Sequence, residues 1–77
     1  MVEQVLNEAK SRGFPYQLNE QSDWQILPQQ QEATWKLTAT ADSRWILSLN
    51  NIPQLYLNSE EAINFLAMRV RSQERSL

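Results

Sequence analysis

The sequence predicts a small α+β domain, with an N-terminal helix, an antiparallel meander of three or four strands, and a C-terminal helix packed on the sheet. Three observations lead to this fold class. Apolar residues recur at helical spacing near both ends, they alternate with polar residues between, and short polar pairs separate the alternating runs. With 77 residues, we expect residues 1–77 to form one domain.

Composition excludes several classes of protein. The chain is 42% hydrophobic and 21% charged, which is typical of a folded globular domain. It contains no Cys and no His, so disulfide scaffolds, Cys nucleophiles and His-based general bases are excluded. We predict no cofactor, no metal and no enzymatic activity.

Charge and hydropathy bear on partners and location. The net charge is −2, which provides no broad basic field for a phosphate backbone. No window approaches the roughly 18 apolar residues of a membrane span, and the first residues lack the basic start and apolar run of a signal peptide. We therefore expect a cytoplasmic protein that does not bind a membrane. The net charge disfavours nucleic acid as a partner, and no small-molecule substrate is evident.

Both ends of the chain have the pattern of amphipathic helices. Gly13 stands where a left-handed cap would end the first helix. Asn58 and Glu61 form the capping-box pattern that begins the second. The apolar stripes consist of Val2, Val5, Leu6 and Ala9 in the first helix and Ile63, Leu66, Ala67 and Val70 in the second.

Alternation of apolar and polar residues indicates the strands. Three strands are clear, and residues 24–28 are the candidate for a fourth. The remainder of residues 16–33 is predicted to be a polar connection. The apolar positions of the three strands are Trp35, Leu37, Ala39 and Ala41, then Trp45, Leu47 and Leu49, then Leu55 and Leu57.

The register of the first hairpin follows if its apolar residues share one face of the sheet. A two-residue loop would split the apolar residues of the two strands between both faces. A loop of residues 42–44 instead sets Ala41 opposite Trp45 and unites them. We predict this loop, with Arg44 in the left-handed conformation that favours Gly.

The second hairpin has two possible registers. A two-residue turn at residues 50–51 suits Asn, which tolerates positive φ, and puts Tyr56 opposite Trp45. That register leaves apolar groups on both faces. A three-residue loop through Ile52 puts Leu57 opposite Trp45 and collects them on one face. The sequence leaves both registers open.

Four residues form a candidate interaction surface. Phe65 and Met68 lie off the main apolar stripe of the C-terminal helix, and both residue types are enriched at interfaces. The alternative is that they belong to a wide arc facing the core. Tyr56 and Trp45 join them, because one register of the second hairpin exposes an aromatic patch.

The remaining chemical signals are weaker. Glu60 and Glu61 are adjacent, but neighbouring helical positions diverge and capping explains both carboxylates. The three tryptophans, with basic residues interleaved, would allow a sheet to stack single-stranded bases. The alternative is that these large rings fill the core, which the negative net charge favours.

One segment is similar to known proteins. The run RWILSLNNIPQLYLNSEEAINFLAMR, residues 44–69, resembles the β-hairpin-plus-helix core of small uncharacterised proteins of cyanobacterial type. The resemblance implies a domain of unknown function and transfers no site residues.

The sequence therefore predicts a non-catalytic protein-interaction or assembly module, which binds a protein partner or a second copy of itself as a homodimer. A single-stranded nucleic-acid-binding domain that uses aromatic residues of the sheet is the alternative.

Overall fold

The computed structural model describes the backbone of residues 2–75 and the side chains of residues 2–69. The described residues form an α+β fold of two helices and a five-stranded sheet, one strand more than the upper limit predicted. The elements are α1 Val2–Ser11, β1 Tyr16–Leu18, β2 Trp24–Ile26, β3 Trp35–Ala39, β4 Trp45–Leu49, β5 Ile52–Leu57 and α2 Ser59–Arg75.

The sheet is an antiparallel meander in the order β1-β2-β3-β4-β5. Its inner face, which carries the core, packs against the helices, and its other face is open. Because side chains alternate along a strand, every second residue of β3 is buried, and the intervening Lys36 and Thr38 lie on the open face. The core consists of Val5, Ala9, Phe14, Ile26, Trp35, Leu37, Ala39, Trp45, Leu57, Ala62 and Leu66.

Helix α1 ends at the predicted glycine. Gly13 has φ +83°, the left-handed region that glycine adopts without steric cost. The Phe14 amide donates to the Ala9 carbonyl at 2.9 Å, and the Gly13 amide donates to the Lys10 carbonyl at 3.2 Å. These two bonds form a Schellman motif. The motif turns the chain so that Phe14 enters the core, where it is 3% exposed.

Helix α2 begins with the predicted capping box. The Glu61 amide donates to Asn58 Oδ1 at 2.8 Å, and the Asn58 amide donates to Glu61 Oε1 at 2.9 Å. Each residue thus satisfies a backbone donor of the other. Leu57 and Ala62, on either side of this box, are buried. The side chain of Val70, part of the predicted apolar stripe, lies outside the described residues.

The segment before residue 33 contains two strands, β1 and β2, of which only β2 was a candidate. They are short and paired as a hairpin, with Leu18 opposite Trp24. Asn19 organises the loop between them: its Oδ1 accepts the amides of Gln21 and Asp23, both at 2.9 Å. The polar residues between β1 and β2 therefore form an ordered loop, which the Asn19 side chain holds by hydrogen bonds.

The β3–β4 hairpin differs from its predicted register by two residues. Ala39, not Ala41, lies opposite Trp45, and the three-residue loop is residues 41–43. The prediction that Arg44 adopts positive φ is wrong: Ser43 does, at φ 67°. A shift of two residues keeps the apolar side chains on one face, so hydrophobic patterning could not distinguish the two registers.

The β1–β2 and β3–β4 hairpins share one loop construction. In each, a polar residue begins the loop, Asn19 or Thr40, and its side-chain oxygen accepts the amide four residues later. In each, a serine adopts the left-handed conformation before the second strand, Ser22 at φ 65° and Ser43 at φ 67°. Three-residue loops place glycine at this position most often, so both serines carry backbone strain.

The β4–β5 hairpin combines both predicted registers. Asn50 and Asn51 form the two-residue turn, with φ 54° and 67°. The pairing is nevertheless the one that places Leu57 opposite Trp45. A bulge reconciles them: Pro53 lies opposite Ser48 and Leu55 opposite Leu47, which leaves Gln54 as the extra residue.

We expect Ser43→Gly to stabilise the protein by up to about 1 kcal/mol, because glycine removes the cost of about 1–2 kcal/mol for a left-handed side chain but loses more backbone entropy on folding. Arg44→Gly is the matched control, since Arg44 is not among the residues with positive φ, and it should not stabilise. Thermal unfolding of both variants measures this. A more stable Arg44→Gly would contradict the register of this hairpin.

Deletion of Gln54 should preserve the fold. Without the bulge the ladder becomes regular, and Leu55 and Leu57 keep their partners. We expect the free energy of unfolding to change by less than about 1 kcal/mol, or about 4–8 °C in Tm for a domain of this size.

Deletion of Gln25 is the control, because it removes a residue from a regular ladder. Trp24 and Ile26 would then point to opposite faces of the sheet. Circular dichroism melts of the two deletions should therefore differ widely. Equal losses of stability would show that Gln54 is not the bulged residue.

Candidate functional site

The four predicted surface residues do not form one surface. Trp45 is fully buried, at 0% exposure, so its side chain belongs to the core. Phe65 is partly buried and packs edge-on against Trp35, with ring centroids 5.0 Å apart. Tyr56 is 60% exposed on the open face, and Met68 is 57% exposed on α2.

Three other apolar side chains are exposed together at the end of the second hairpin. Leu49, Ile52 and Leu55 are 43%, 61% and 48% exposed. Leu49 pairs directly with Ile52, and Leu55 pairs with Leu47 on the same side of the bulge as the core residues. All three therefore extend the inner, core-bearing face of the sheet. We call Leu49, Ile52 and Leu55 the hairpin patch.

The path of α2 explains why the hairpin patch is exposed. The helix begins at Ser59, two residues after Leu57, at the far end of β5 from the turn. Its next turns lead away from β5, because Phe65 reaches Trp35 on β3 and Arg69 lies in a cavity with Phe14. The helix therefore crosses the sheet diagonally. The turn end of β4 and β5 remains uncovered.

The β5 edge of the sheet is hindered from pairing with another strand. Pro53 lies within β5 and is followed by the bulge at Gln54. Proline has no amide to donate and a bulge interrupts the ladder, so both features hinder strand addition at this edge. At the other edge, the Pro15 carbonyl accepts the Leu27 amide at 2.9 Å, so this carbonyl faces β2.

The open face of the sheet is mostly polar. One row runs across it, with Gln25, Thr38, Ile46 and Tyr56 as successive partners on β2 to β5. Gln25 Nε2 donates to Thr38 Oγ1 at 3.3 Å. All three tryptophans lie on the other face: Trp35 and Trp45 are in the core, and Trp24 is half-buried beside Tyr16. Tyr56 is the aromatic residue that the described part of the open face offers for stacking.

Charges at the β3–β4 loop are ordered by hydrogen bonds. The Thr40 hydroxyl donates to Asp42 Oδ1, and Arg44 Nε lies 3.4 Å from Asp42 Oδ2. The hydrogen bond from Thr40 lowers the pKa of Asp42, with a smaller contribution from the Arg44 guanidinium. Because both charged side chains are exposed, the pair contributes little to stability.

Among the described residues, no group of three or more acidic, His or Cys side chains is placed to hold a metal ion. No helix within the same residues is long and apolar enough to cross a membrane. No family model, curated protein or solved structure matches the chain. The resemblance of residues 44–69 to small cyanobacterial-type proteins therefore stays a prediction.

We expect Thr40→Val to raise the pKa of Asp42 toward its ordinary value, because the donated hydrogen bond is lost. In the wild type the folded-state pKa is the lower one. The stabilisation from Asp42 is therefore present above the unfolded-state pKa and is lost as the pH falls through the folded-state pKa. Carboxyl NMR titration measures the shift.

Thr38→Val is the control for this titration, because the Thr38 hydroxyl bonds to Gln25 rather than to Asp42. The Asp42 titration curve should not change in this variant. An unchanged curve in Thr40→Val would show that the hydroxyl is not the cause of the lowered pKa.

Proposed function

We propose that this protein is a non-catalytic interaction or assembly module that binds another polypeptide, or a second copy of itself, through the hairpin patch. The observation that supports the proposal is the exposure of Leu49, Ile52 and Leu55 on one continuous stretch of the inner face. Clustered apolar side chains on a folded surface mark interaction sites more often than scattered ones.

The magnitude of this apolar surface predicts a weak or transient complex. Full burial of a Leu or Ile side chain contributes about 1.5–3 kcal/mol, and these three side chains are already about half buried. A dissociation constant of about 1 mM corresponds to about 4 kcal/mol, so the patch alone supports binding near that range. A tighter complex would require contacts beyond the patch.

The β5 edge of the sheet favours docking through side chains. Pro53 and the bulge at Gln54 hinder the addition of a strand at β5. Docking on the inner face avoids this obstacle, since it needs no backbone pairing. The occupant would then cover the turn end of β4 and β5 beside α2.

The sequence supplies the remaining parts of the proposal. The absence of Cys and His disfavours catalysis and suits a reducing, cytoplasmic environment, and the net charge of −2 disfavours nucleic acid. A protein partner is therefore preferred to a single-stranded nucleic acid.

Two measurements test the proposal on the intact chain. Sedimentation equilibrium up to millimolar concentration measures self-association, and a photo-crosslinking amino acid at position 52 captures a protein partner in cell extract. We expect Leu49→Thr, Ile52→Thr and Leu55→Thr together to abolish association, and Leu49→Thr with Leu55→Thr to abolish capture by the crosslinker at position 52. The fold should be retained in both variants, since Thr suits a strand. Circular dichroism verifies the fold.

The control variant carries Leu18→Thr and Met68→Gln. These residues are 52% and 57% exposed, comparable with the hairpin patch, but lie on β1 and α2. Association should persist in this variant, and a crosslinker at position 18 should capture nothing. A chain that stays monomeric at millimolar concentration and gives no discrete adduct from position 52 would overturn the proposal.

A further inference from the structure

A second feature, separate from the hairpin patch, is a cavity of about 160 Å³ beside Trp35. Phe14, Pro28, Ala33 and Trp35 form its apolar walls, and Arg69 reaches it from α2. An apolar cavity of about 150 Å³ accommodates a benzene molecule. The space is therefore adequate for one small flat group, and it is open to solvent on one side.

Aromatic packing holds Arg69 in place. Its guanidinium carbon lies 4.6 Å from the centre of the Phe65 ring, within the range of a cation–π interaction. Phe65 in turn packs edge-on against Trp35, and Trp35 packs edge-on against Phe14 at 5.8 Å. The guanidinium is thus placed against Phe65, and the Phe65 ring is in turn held by Trp35.

The Nε of Arg69 is buried and has no hydrogen-bond partner. The other two arginines with described side chains differ in this respect. Arg12 Nε lies 3.0 Å from Glu8 Oε2, and Arg44 Nε lies 3.4 Å from Asp42 Oδ2. A buried donor on a charged group is costly to leave unpaired. The Nε of Arg69 has almost no accessible surface, so a ligand in the cavity would meet Arg69 through its terminal guanidinium nitrogens.

Among the described residues, the lining offers no carboxylate to Arg69. Its other polar members are Gln29 and Gln30, and Gln29 Nε2 donates to the Arg12 carbonyl at 2.9 Å. An anionic ligand would thus meet one cation, two glutamine side chains and apolar walls, with no acidic side chain among the described lining residues.

We propose that this cavity binds a carboxylate carried on a small flat or apolar group, with Arg69 as its anchor. The carboxylate accepts from the two terminal N–H groups of the guanidinium, a two-point geometry that arginine provides. The apolar body of the ligand lies against Trp35 and Phe14. The carboxylate has two possible sources, a free carboxylic acid and an acidic side chain of a peptide.

The Arg69 Nε–H group belongs to the guanidinium that makes this contact, so we would follow its resonance by NMR while benzoate is titrated into the full chain. We expect a saturable shift for Arg69, while the Nε–H resonances of Arg12 and Arg44 stay in place. Benzamide, which has the same shape but no charge, should bind at least about tenfold more weakly.

Two variants separate the anchor from the cavity. Arg69→Lys keeps the charge but removes the planar fork of guanidinium donors, and it should weaken benzoate binding by about tenfold or more. Ala33→Leu leaves Arg69 intact but fills the cavity, so it should also abolish binding. Arg44→Lys, at the other end of β3, is the matched control and should bind benzoate like the wild type.

A second titration arm distinguishes the two sources of the carboxylate. A short peptide with blocked ends and one central Glu is compared with benzoate, and its Gln counterpart serves as control. Tighter binding of the Glu peptide would assign the site to a protein ligand, and tighter binding of benzoate to a free acid. A shift of the Arg69 resonance that does not saturate with either ligand, or equal binding of benzamide and benzoate, would overturn the proposal.

Discussion

The extra residue at Gln54 is the constraint on which much of the structure depends. Side chains alternate along a strand, so a shift of one residue moves every side chain to the other face. The two-residue Asn50–Asn51 turn by itself would put Tyr56 opposite Trp45. The bulge restores Leu57 to that position. Leu57 then anchors the start of α2, because the capping box begins at the next residue.

The direction of α2 produces both candidate sites. From Leu57 the helix crosses the inner face toward Trp35, which leaves the hairpin patch uncovered on one side. On the other side the same helix brings Arg69 to the cavity walls. A single helix that crosses a small sheet diagonally cannot cover the whole apolar face of that sheet. The surplus apolar surface is the physical basis for binding at either place.

The two candidate sites differ in the kind of recognition they offer. The hairpin patch is apolar and exposed, and it selects a partner mainly by shape and area. The cavity is small and holds a fixed guanidinium, so it selects by charge and by the geometry of two hydrogen bonds. Arg12 and Arg44 each lie beside a carboxylate, and Arg69 has no such ion pair among the described residues.

The sequence by itself determined the fold class, both helix ends and the faces of the strands, because these depend on local bonds and on alternation. Gly13, Asn58 and Glu61 act where their chemistry predicts. The sequence could not determine the register of the β3–β4 hairpin. Ala39 and Ala41 point to the same face, so either residue could lie opposite Trp45. For a similar reason, Phe65, Met68, Tyr56 and Trp45 do not form the one surface that the sequence predicts. Only tertiary packing decides which apolar residues a helix covers. It therefore decides that Leu49, Ile52 and Leu55 are exposed and that Arg69 lines the cavity beside Trp35.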